Sequence, residues 1–260
     1  MENPMGEVHV SRVEINGASA ARVQIDRPTK LNALNSTLAE KLRDTFEDLA
    51  ADEALHAVVL EGAGGKAWVV GADIAEMAVL DRQSAADFIS RLHETMLAVR
   101  DFPVPVVAKL DGYALGAGME LAAACDLRVA STRALFGMPE VQVGLPSVIE
   151  ASLLPRLMGA GRAGRLMLTG EMIDAQRAGE WGFVEEVVSP ADLDTAVDAI
   201  VGDLCRAGRH ALCAQKKLMR SWEAVSPDTA AAASISVFAG AFDTDEPVTR
   251  LGNFASGPSD

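Results

Sequence analysis

The segment from residue 104 to residue 126 constrains the fold of this chain more than any other stretch of its sequence. An apolar, strand-like run, 104–110, is followed by Gly116 and Gly118, which stand where a new helix begins. Glu120 falls in the first turn of that helix. Free backbone N–H groups at a helix start favour negative charge, so the segment can hold an oxyanion beside an acid/base group. Taken alone, it is also consistent with a glycine-rich turn and a solvated glutamate.

Composition narrows the class of protein. The chain has 260 residues, of which 49% are hydrophobic and 23% charged, as is typical of a folded globular protein. Its formal net charge is −14, and it has one tyrosine and three tryptophans. A nucleic-acid partner is therefore not expected, because charge and aromatic stacking are both unfavourable. A small anionic ligand stays compatible with this charge, since a helix start can bind one locally.

The cysteines and the hydropathy pattern indicate in which cellular compartment the protein is expected. Cys125, Cys205 and Cys213 are an odd number without a CxxC spacing, which predicts reduced thiols, and Cys125 lies in an apolar run typical of a buried segment. The sequence has no apolar run near the ~18 residues that a membrane span needs. Residues 1–6 lack the features of a signal peptide. We therefore expect a soluble, cytoplasmic protein with no membrane partner.

Strand and helix patterns alternate up to about residue 190. Residues 7–15 and 20–26 flank Asn16-Gly17, which predicts a β-hairpin. Ser36 is the predicted cap of the first helix, and 147–157 is predicted to be helical. After residue 190 the patterns are helical only. This order predicts an α/β core at 1–191 with the active site, and a helical C-terminal region at 192–260.

Other cofactor motifs are weak or missing. Residues 62–67 match the dinucleotide fingerprint G-x-G-x-x-A, but Trp68-Val-Val-Gly71 follows where a helix should begin. This disfavours an oxidoreductase. The four histidines are scattered along the chain and form no zinc motif.

Four segments together resemble the enoyl-CoA hydratase, or crotonase, family. They are the N-terminal signature at 27–35, the A-F-x-A-G-A-D-I-x-E-M segment at 66–77, the N-G-x-A-x-G-G-G-x-E-L-A-x-x-C-D segment at 111–126 and the F-x-x-P-E-x-x-x-G-x-x-P segment at 136–146. The resemblance runs in order from about residue 8 to about residue 254. Each segment is weak evidence alone, whereas the ordered set is specific for the fold.

The resemblance implies an α/β crotonase fold with a repeated ββα core. It also implies a helical C-terminal region through which the chain forms trimers. The expected protein partners are therefore further copies of the same chain, in a homotrimer or a homohexamer. In this family two backbone N–H groups hold the oxygen of a thioester enolate, an arrangement called an oxyanion hole. At the matching positions these groups belong to Ala72 and Ala117. Ala117 replaces a common glycine, and its N–H can still donate if its φ is negative.

Glu120 and Glu140 match the two catalytic glutamates of the hydratases. Hydration of an α,β-unsaturated thioester needs one group that takes a proton from water and another that gives a proton to Cα. By resemblance, Glu120 activates the water and Glu140 protonates Cα. A surface glutamate is the alternative for each.

The resemblance also indicates which residues bind coenzyme A, which enters as part of the substrate; neither a metal nor another cofactor is implied. Ala75 departs from the family because many members have a phosphate-binding lysine there, and Lys30 is a candidate to replace it. The expected binding residues are Lys30, Leu31, Ala33, Val70, Ala72, Asp73, Ile74 and Gly116.

A second departure follows Pro146, where Ser147-Val-Ile-Glu-Ala-Ser-Leu-Leu-Pro-Arg156 replaces the family's G-A-G-G-T-Q-R-L. This stretch borders the expected acyl pocket, so the preferred acyl chain can differ from that of other members. Glu150 lies within it and is expected to be a solvated helix residue rather than a pocket residue.

The sequence thus predicts an enoyl-CoA hydratase that converts a 2-enoyl-CoA to a 3-hydroxyacyl-CoA. Double-bond isomerisation and acyl-CoA thioester hydrolysis are the alternative reactions, because the same scaffold hosts them. A non-catalytic scaffold or RNA-binding relative is disfavoured by the two glutamates and the net charge of −14. The sequence leaves open the acyl chain, the pathway, and the choice between trimer and hexamer.

Overall fold

The computed structural model describes residues 5–255, whose strands form two sheets. The larger sheet has the order β1-β2-β3-β5-β7-β10 and the smaller one the order β4-β6-β8-β9. The strands are β1 (Glu7–Ile15), β2 (Ala18–Asp26), β3 (Leu55–Gly62), β4 (Ala67–Val69), β5 (Val106–Leu110), β6 (Tyr113–Leu115), β7 (Leu127–Ser131), β8 (Leu135–Gly137), β9 (Met172–Asp174) and β10 (Glu186–Val188).

The predicted hairpin is confirmed. β1 and β2 pair antiparallel from Glu7 opposite Asp26 to Ile15 opposite Ala18. Asn16 and Gly17, between them, have positive φ angles of 52° and 77°. Two such residues match the right-handed twist of the flanking strands, which explains the Asn-Gly pair.

The remaining strands show the predicted repeat. Three times in succession, one strand enters the larger sheet and the next enters the smaller sheet: β3 then β4, β5 then β6, and β7 then β8. The strands of each set pair in parallel. Helices follow the first two of these strand pairs, as in a ββα unit.

The helices cover both faces of the larger sheet. Four short 3-10 turns, at Pro28–Lys30, Pro139–Val143, Ile149–Leu153 and Ala241–Asp243, link some of the elements. The α-helices are α1 (Ser36–Ala50), α2 (Ile74–Met77), α3 (Arg82–Arg100), α4 (Ala117–Ala124), α5 (Leu154–Met158), α6 (Ala160–Thr169), α7 (Ala175–Trp181), α8 (Leu193–Arg206), α9 (Arg209–Trp222), α10 (Pro227–Gly240) and α11 (Glu246–Ala255).

Alternating residues of the larger sheet enter two separate cores. On β3, Val58 and Leu60 join the main core, which includes residues of α1, α3 and α4. Ala57 and Val59 face the other way and pack with Val197 and other residues of α8. This alternation follows from the two-residue period of a strand. The main core therefore lies on the side of the sheet where α4 is buried.

Two predicted helix features differ in the structure. The cap of α1 is Asn35, whose side chain accepts the N–H of Leu38 at 2.7 Å, while Ser36 contacts Glu76. Residues 147 and 148 are not helical, and a 3-10 turn at Ile149–Leu153 precedes α5. Ile149 has φ 41°, which a right-handed helix does not allow.

The described residues after β10 contain only helices among their regular elements. Within 5–255, no helix is both long and apolar enough to cross a membrane. The predicted lack of a signal peptide concerns residues 1–6, of which 1–4 lie outside the described part of the chain.

Candidate active site

The site is built where β6 leads into α4. Gly116 joins them with φ 51° and ψ −123°, a conformation that L side chains rarely adopt. A Cβ atom added to Gly116 lies only 2.3 Å from Glu140 Oε1. Glycine is therefore required here twice, for the backbone conformation and for the approach of the Glu140 carboxyl to the start of α4.

Glu120 lies one turn into α4 and is 3% exposed. The N–H of Ala151 donates a hydrogen bond to its Oε1 at 3.2 Å. Burial, followed by the nearby charge of Glu140, raises the pKa of Glu120 to about 8, and the charge of Glu150 adds to this. The hydrogen bond from Ala151 opposes the shift but is outweighed. At neutral pH the Glu120 carboxyl consequently holds its proton for most of the time.

Glu140 reaches the same place from the turn that follows β8. Its side chain is partly exposed, and Ser147 Oγ donates to its Oε2 at 2.9 Å. Its other oxygen is the one that faces Gly116. The structure thus brings the two predicted glutamates, twenty positions apart in sequence, to one end of α4 and leaves them in different surroundings.

Two backbone N–H groups lie beside these carboxyls. A Cβ atom built on Gly71 falls 3.7 Å from the Ala117 nitrogen, so the chain at Gly71-Ala72 runs close to the start of α4. Ala117 is the first residue of α4, so its φ is negative, as the alanine substitution requires. Among residues 5–255, neither the N–H of Ala72 nor that of Ala117 donates to a protein group. Both are available to a ligand.

The predicted binding residues come from two segments that meet side by side. The N–H of Val70 donates to Leu31 at 3.2 Å, and Leu34 and Ala72 form a parallel bridge. The predicted residues differ in exposure: Lys30 and Ile74 are exposed, Leu31, Val70 and Ala72 are intermediate, and Ala33, Asp73 and Gly116 are buried.

Two buried polar side chains in these segments, Asp73 and Asn32, have structural partners. The Asp73 carboxylate accepts a hydrogen bond from Arg27 Nη1 at 2.7 Å. It also caps α2 by accepting hydrogen bonds from the N–H groups of Ala75 and Glu76. Asn32, fully buried with φ 58°, donates to backbone oxygens including those of Ala63 and Ala67, at 2.9 Å each. These side chains hold the loops in place and leave backbone groups to face a ligand.

Comparison with known proteins shows the family of the chain. Residues 16–254 match the family model described as enoyl-CoA hydratase/isomerase. The chain belongs to the enoyl-CoA hydratase/isomerase family.

Relatives in this family are similar along most of their length. The crotonyl-CoA hydratase of Syntrophomonas wolfei is 34% identical over 227 residues, which are 87% of each chain. The short-chain-enoyl-CoA hydratase of Clostridium acetobutylicum has the same identity and coverage. The crystal structure of enoyl-CoA hydratase from Mycobacterium smegmatis superposes with a TM-score of 0.92 at 30% identity, covering 98% of this chain and 97% of that one. The predictions of a crotonase fold and of an enzyme of the enoyl-CoA hydratase kind are confirmed at family level.

Glu150 is the side chain that the sequence analysis placed wrongly. It is not solvated but 2% exposed, and His93 Nδ1 on α3 lies 2.9 and 3.1 Å from its two oxygens. Counted from Pro146, the family's glycine-rich run has a glycine at this position. The contact joins residues 57 positions apart, so no local pattern shows it. A glutamate in place of a glycine beside a catalytic segment was the one signal available.

Proposed function

We propose that this protein adds water to a 2-enoyl-CoA thioester and forms a 3-hydroxyacyl-CoA, with coenzyme A entering as part of the substrate and no further cofactor. The observation that carries the proposal is the meeting of Glu120 and Glu140 at the start of α4, beside two unoccupied N–H donors. A hydratase must move two protons, and this site has two carboxyl groups in different surroundings.

The N–H groups of Ala72 and Ala117 are proposed to bind the thioester oxygen. Negative charge develops on that oxygen as the enolate forms, so donors that are already in place stabilise the transition state more than the substrate. Loss of one such donor costs ~3 kcal/mol in well-studied cases. The start of α4 adds its dipole at the same point.

The proton balance requires the carboxyl pair to hold one proton. Water oxygen bonds to Cβ while one carboxylate takes a proton from that water, and the other carboxyl gives its proton to Cα. The pair ends with one proton, as it began.

The family resemblance gives the base role to Glu120, whereas the proton of the unliganded protein is on Glu120. Substrate binding provides a reason for the proton to move. Glu120 is already buried, so a bound acyl thioester removes more water from the partly exposed Glu140. Loss of water favours the neutral form of a carboxyl group, and thus favours transfer of the shared proton to Glu140.

Substitution by glutamine tests the two carboxyls. Glu120→Gln and Glu140→Gln keep shape and hydrogen bonding but cannot cycle a proton, so each is expected to lower kcat for crotonyl-CoA hydration by ~10²-fold or more. Binding of a saturated acyl-CoA, measured by calorimetry, is expected to persist. Glu94→Gln is the matched control, because Glu94 is an exposed glutamate of α3 paired with Arg43.

Three outcomes would contradict the proposed reaction. Near-full hydration by either glutamine variant would exclude a two-glutamate reaction. Turnover of 3-enoyl but not 2-enoyl thioesters by the wild-type protein would replace hydration by isomerisation. Hydrolysis of the thioester, detected as free coenzyme A, would identify the remaining alternative.

Coenzyme A is proposed to lie along the two paired segments, 30–35 and 70–74. Asp73 and Asn32 already make structural contacts, so backbone groups and the exposed side chains of Lys30 and Ile74 are left to contact coenzyme A.

The cysteines in the described structure are free, which supports a reducing compartment such as the cytoplasm.

Assembly into a trimer or hexamer is proposed on the basis of the C-terminal helices. Among the described residues of this region, six large apolar side chains are at least half exposed in the single chain: Met219, Ile235, Phe238, Phe242, Val248 and Leu251. An apolar surface of this kind is typical of a protein interface. Light scattering at micromolar concentration is expected to give three or six times the mass of 27.3 kDa. A monomer would contradict the proposal.

A further inference from the structure

Glu150 is held in a strained segment next to Glu120. The residue before it, Ile149, has φ 41°. This region is unfavourable for a β-branched residue, and such strain persists only where surrounding contacts fix the backbone. The family's glycine-rich run has a glycine at position 149. Glycine adopts a positive φ without strain, whereas this chain has isoleucine there.

His93 fixes the Glu150 side chain from the other side. Its Nδ1 lies within hydrogen-bond distance of both carboxylate oxygens, at 2.9 and 3.1 Å. An ionised carboxylate only accepts hydrogen bonds, so Nδ1 is the donor. The His93 side chain is 43% exposed and that of Glu150 is 3% exposed. The pair therefore connects a buried charge to the protein surface.

The peptide group that follows Glu150 contacts the catalytic carboxyl directly. The N–H that donates to Glu120 Oε1 at 3.2 Å belongs to Ala151, and thus to the peptide bond between Glu150 and Ala151. The direction of this N–H depends on the backbone at Glu150. The anchored Glu150 side chain and this N–H therefore belong to the same short stretch of backbone.

We propose that Glu150, anchored by His93, is a positioning residue for Glu120: it orients the peptide N–H that binds the Glu120 carboxyl and places a negative charge close to it. This inference rests on the proposed hydratase function. It concerns a residue that has no counterpart in the family pattern.

The electrostatics agree with this geometry. The charged groups that act on Glu120 are Glu140, from the turn after β8, and Glu150, from the turn before α5. Both raise the pKa of Glu120 after the larger effect of burial. His93, on α3, faces Glu150 and partly offsets its charge when protonated.

Glu150→Gln is the decisive variant. It keeps the shape and still accepts from His93, so a purely structural role predicts no change. Loss of the charge is expected to lower the apparent pKa of Glu120 by roughly 0.5–1 unit, a modest effect for a nearby like charge. The measurement is an infrared titration of the protonated-carboxyl band in the unliganded protein. The Glu120 band is identified by its loss in Glu120→Gln.

Activity gives a second readout. The pH profile of kcat/KM reports groups of the free enzyme, so its alkaline limb is expected to move to lower pH by the same amount in Glu150→Gln. His93→Leu removes the anchor and is expected to lower kcat, while His93→Gln, which keeps a donor, is expected to restore it. Glu94→Gln, one position further along α3, is the control and is expected to leave both readouts unchanged.

The outcomes separate this inference from the proposed function. An unchanged infrared titration and an unchanged pH profile in Glu150→Gln would overturn the inference even if hydration is confirmed. A shifted titration in a protein that hydrates no enoyl-CoA would support the coupling and reject the hydratase proposal. If Glu150→Gln fails to fold, equal kcat in His93→Leu and the wild type would still overturn the inference.

Discussion

Asp73 and Glu120 are two buried acids in the same site, and the protein treats them in opposite ways. Burial alone raises the pKa of Asp73, but hydrogen bonds from Arg27 and from the N–H groups of Ala75 and Glu76 outweigh it and lower the pKa. For Glu120, burial and the charges of Glu140 and Glu150 outweigh the backbone hydrogen bonds from Ala151 and Val148, so its pKa rises to about 8. The Asp73 carboxyl is held ionised at neutral pH, whereas the Glu120 carboxyl can exchange a proton near neutral pH.

The difference separates a structural acid from a catalytic one. An acid with a buried cation and two N–H donors is fixed in place and contributes to the stability of the fold. An acid with few donors and like-charged neighbours destabilises the fold but is suited to proton transfer. Both residues stand in segments that resemble the family, and only their partners distinguish the two roles.

The largest expected effect is on stability at Asp73. Asp73→Asn removes the carboxylate that accepts from Arg27, whose side chain is only 5% exposed, and breaking a buried ion pair in this way costs about 4 kcal/mol. Urea unfolding at pH 7 measures it. Because the pKa of Asp73 is lowered, its contribution is present at neutral pH and is lost as pH falls, so the deficit is expected to shrink in acid.

An exposed pair is the control for Asp73. Asp101 lies 2.7 Å from Arg220 with 58% of its side chain exposed, so Asp101→Asn is expected to cost less than about 1 kcal/mol. Equal losses in the two variants would show that Asp73 is no more structural than a surface acid, and the contrast with Glu120 would fail.

How far the sequence could predict this contrast depends on the range of each contact. The Asn16-Gly17 hairpin, the strand before Gly116 and the helix after it follow from local patterns, and the structure confirms them. The predicted cap of α1 was wrong by one residue. Asn35 and Ser36 are both residue types that cap helices, and only the contact of Ser36 with Glu76, far along the chain, decides between them.

The candidate site was predictable in its residues but not in its electrostatics. Glu120 and Glu140 were predicted from matched segments, and the structure places them together. The burial of Glu150 and its bond to His93 were missed, because they depend on the packing of α3 against a turn far along the chain. The same packing provides the N–H of Ala151, so the environment of Glu120 is a property of the assembled fold.

The complementary prediction is that replacing Glu120 by a side chain that cannot ionise stabilises the protein. The folded pKa of about 8 lies above the ordinary value of 4.5. Stability from the neutral carboxyl is thus fully present below pH 4.5 and is lost as pH rises through 8. Glutamine does not ionise, so Glu120→Gln is expected to exceed the wild type in stability by about 1 kcal/mol at pH 5 and about 3 kcal/mol at pH 7. Urea unfolding at the two pH values, with Glu94→Gln as control, measures the gap. A stability gap that does not grow with pH would show that the pKa of Glu120 is no more shifted than that of an ordinary glutamate. A variant that is more stable yet inactive would show that this carboxyl serves catalysis at the expense of the stability of the fold.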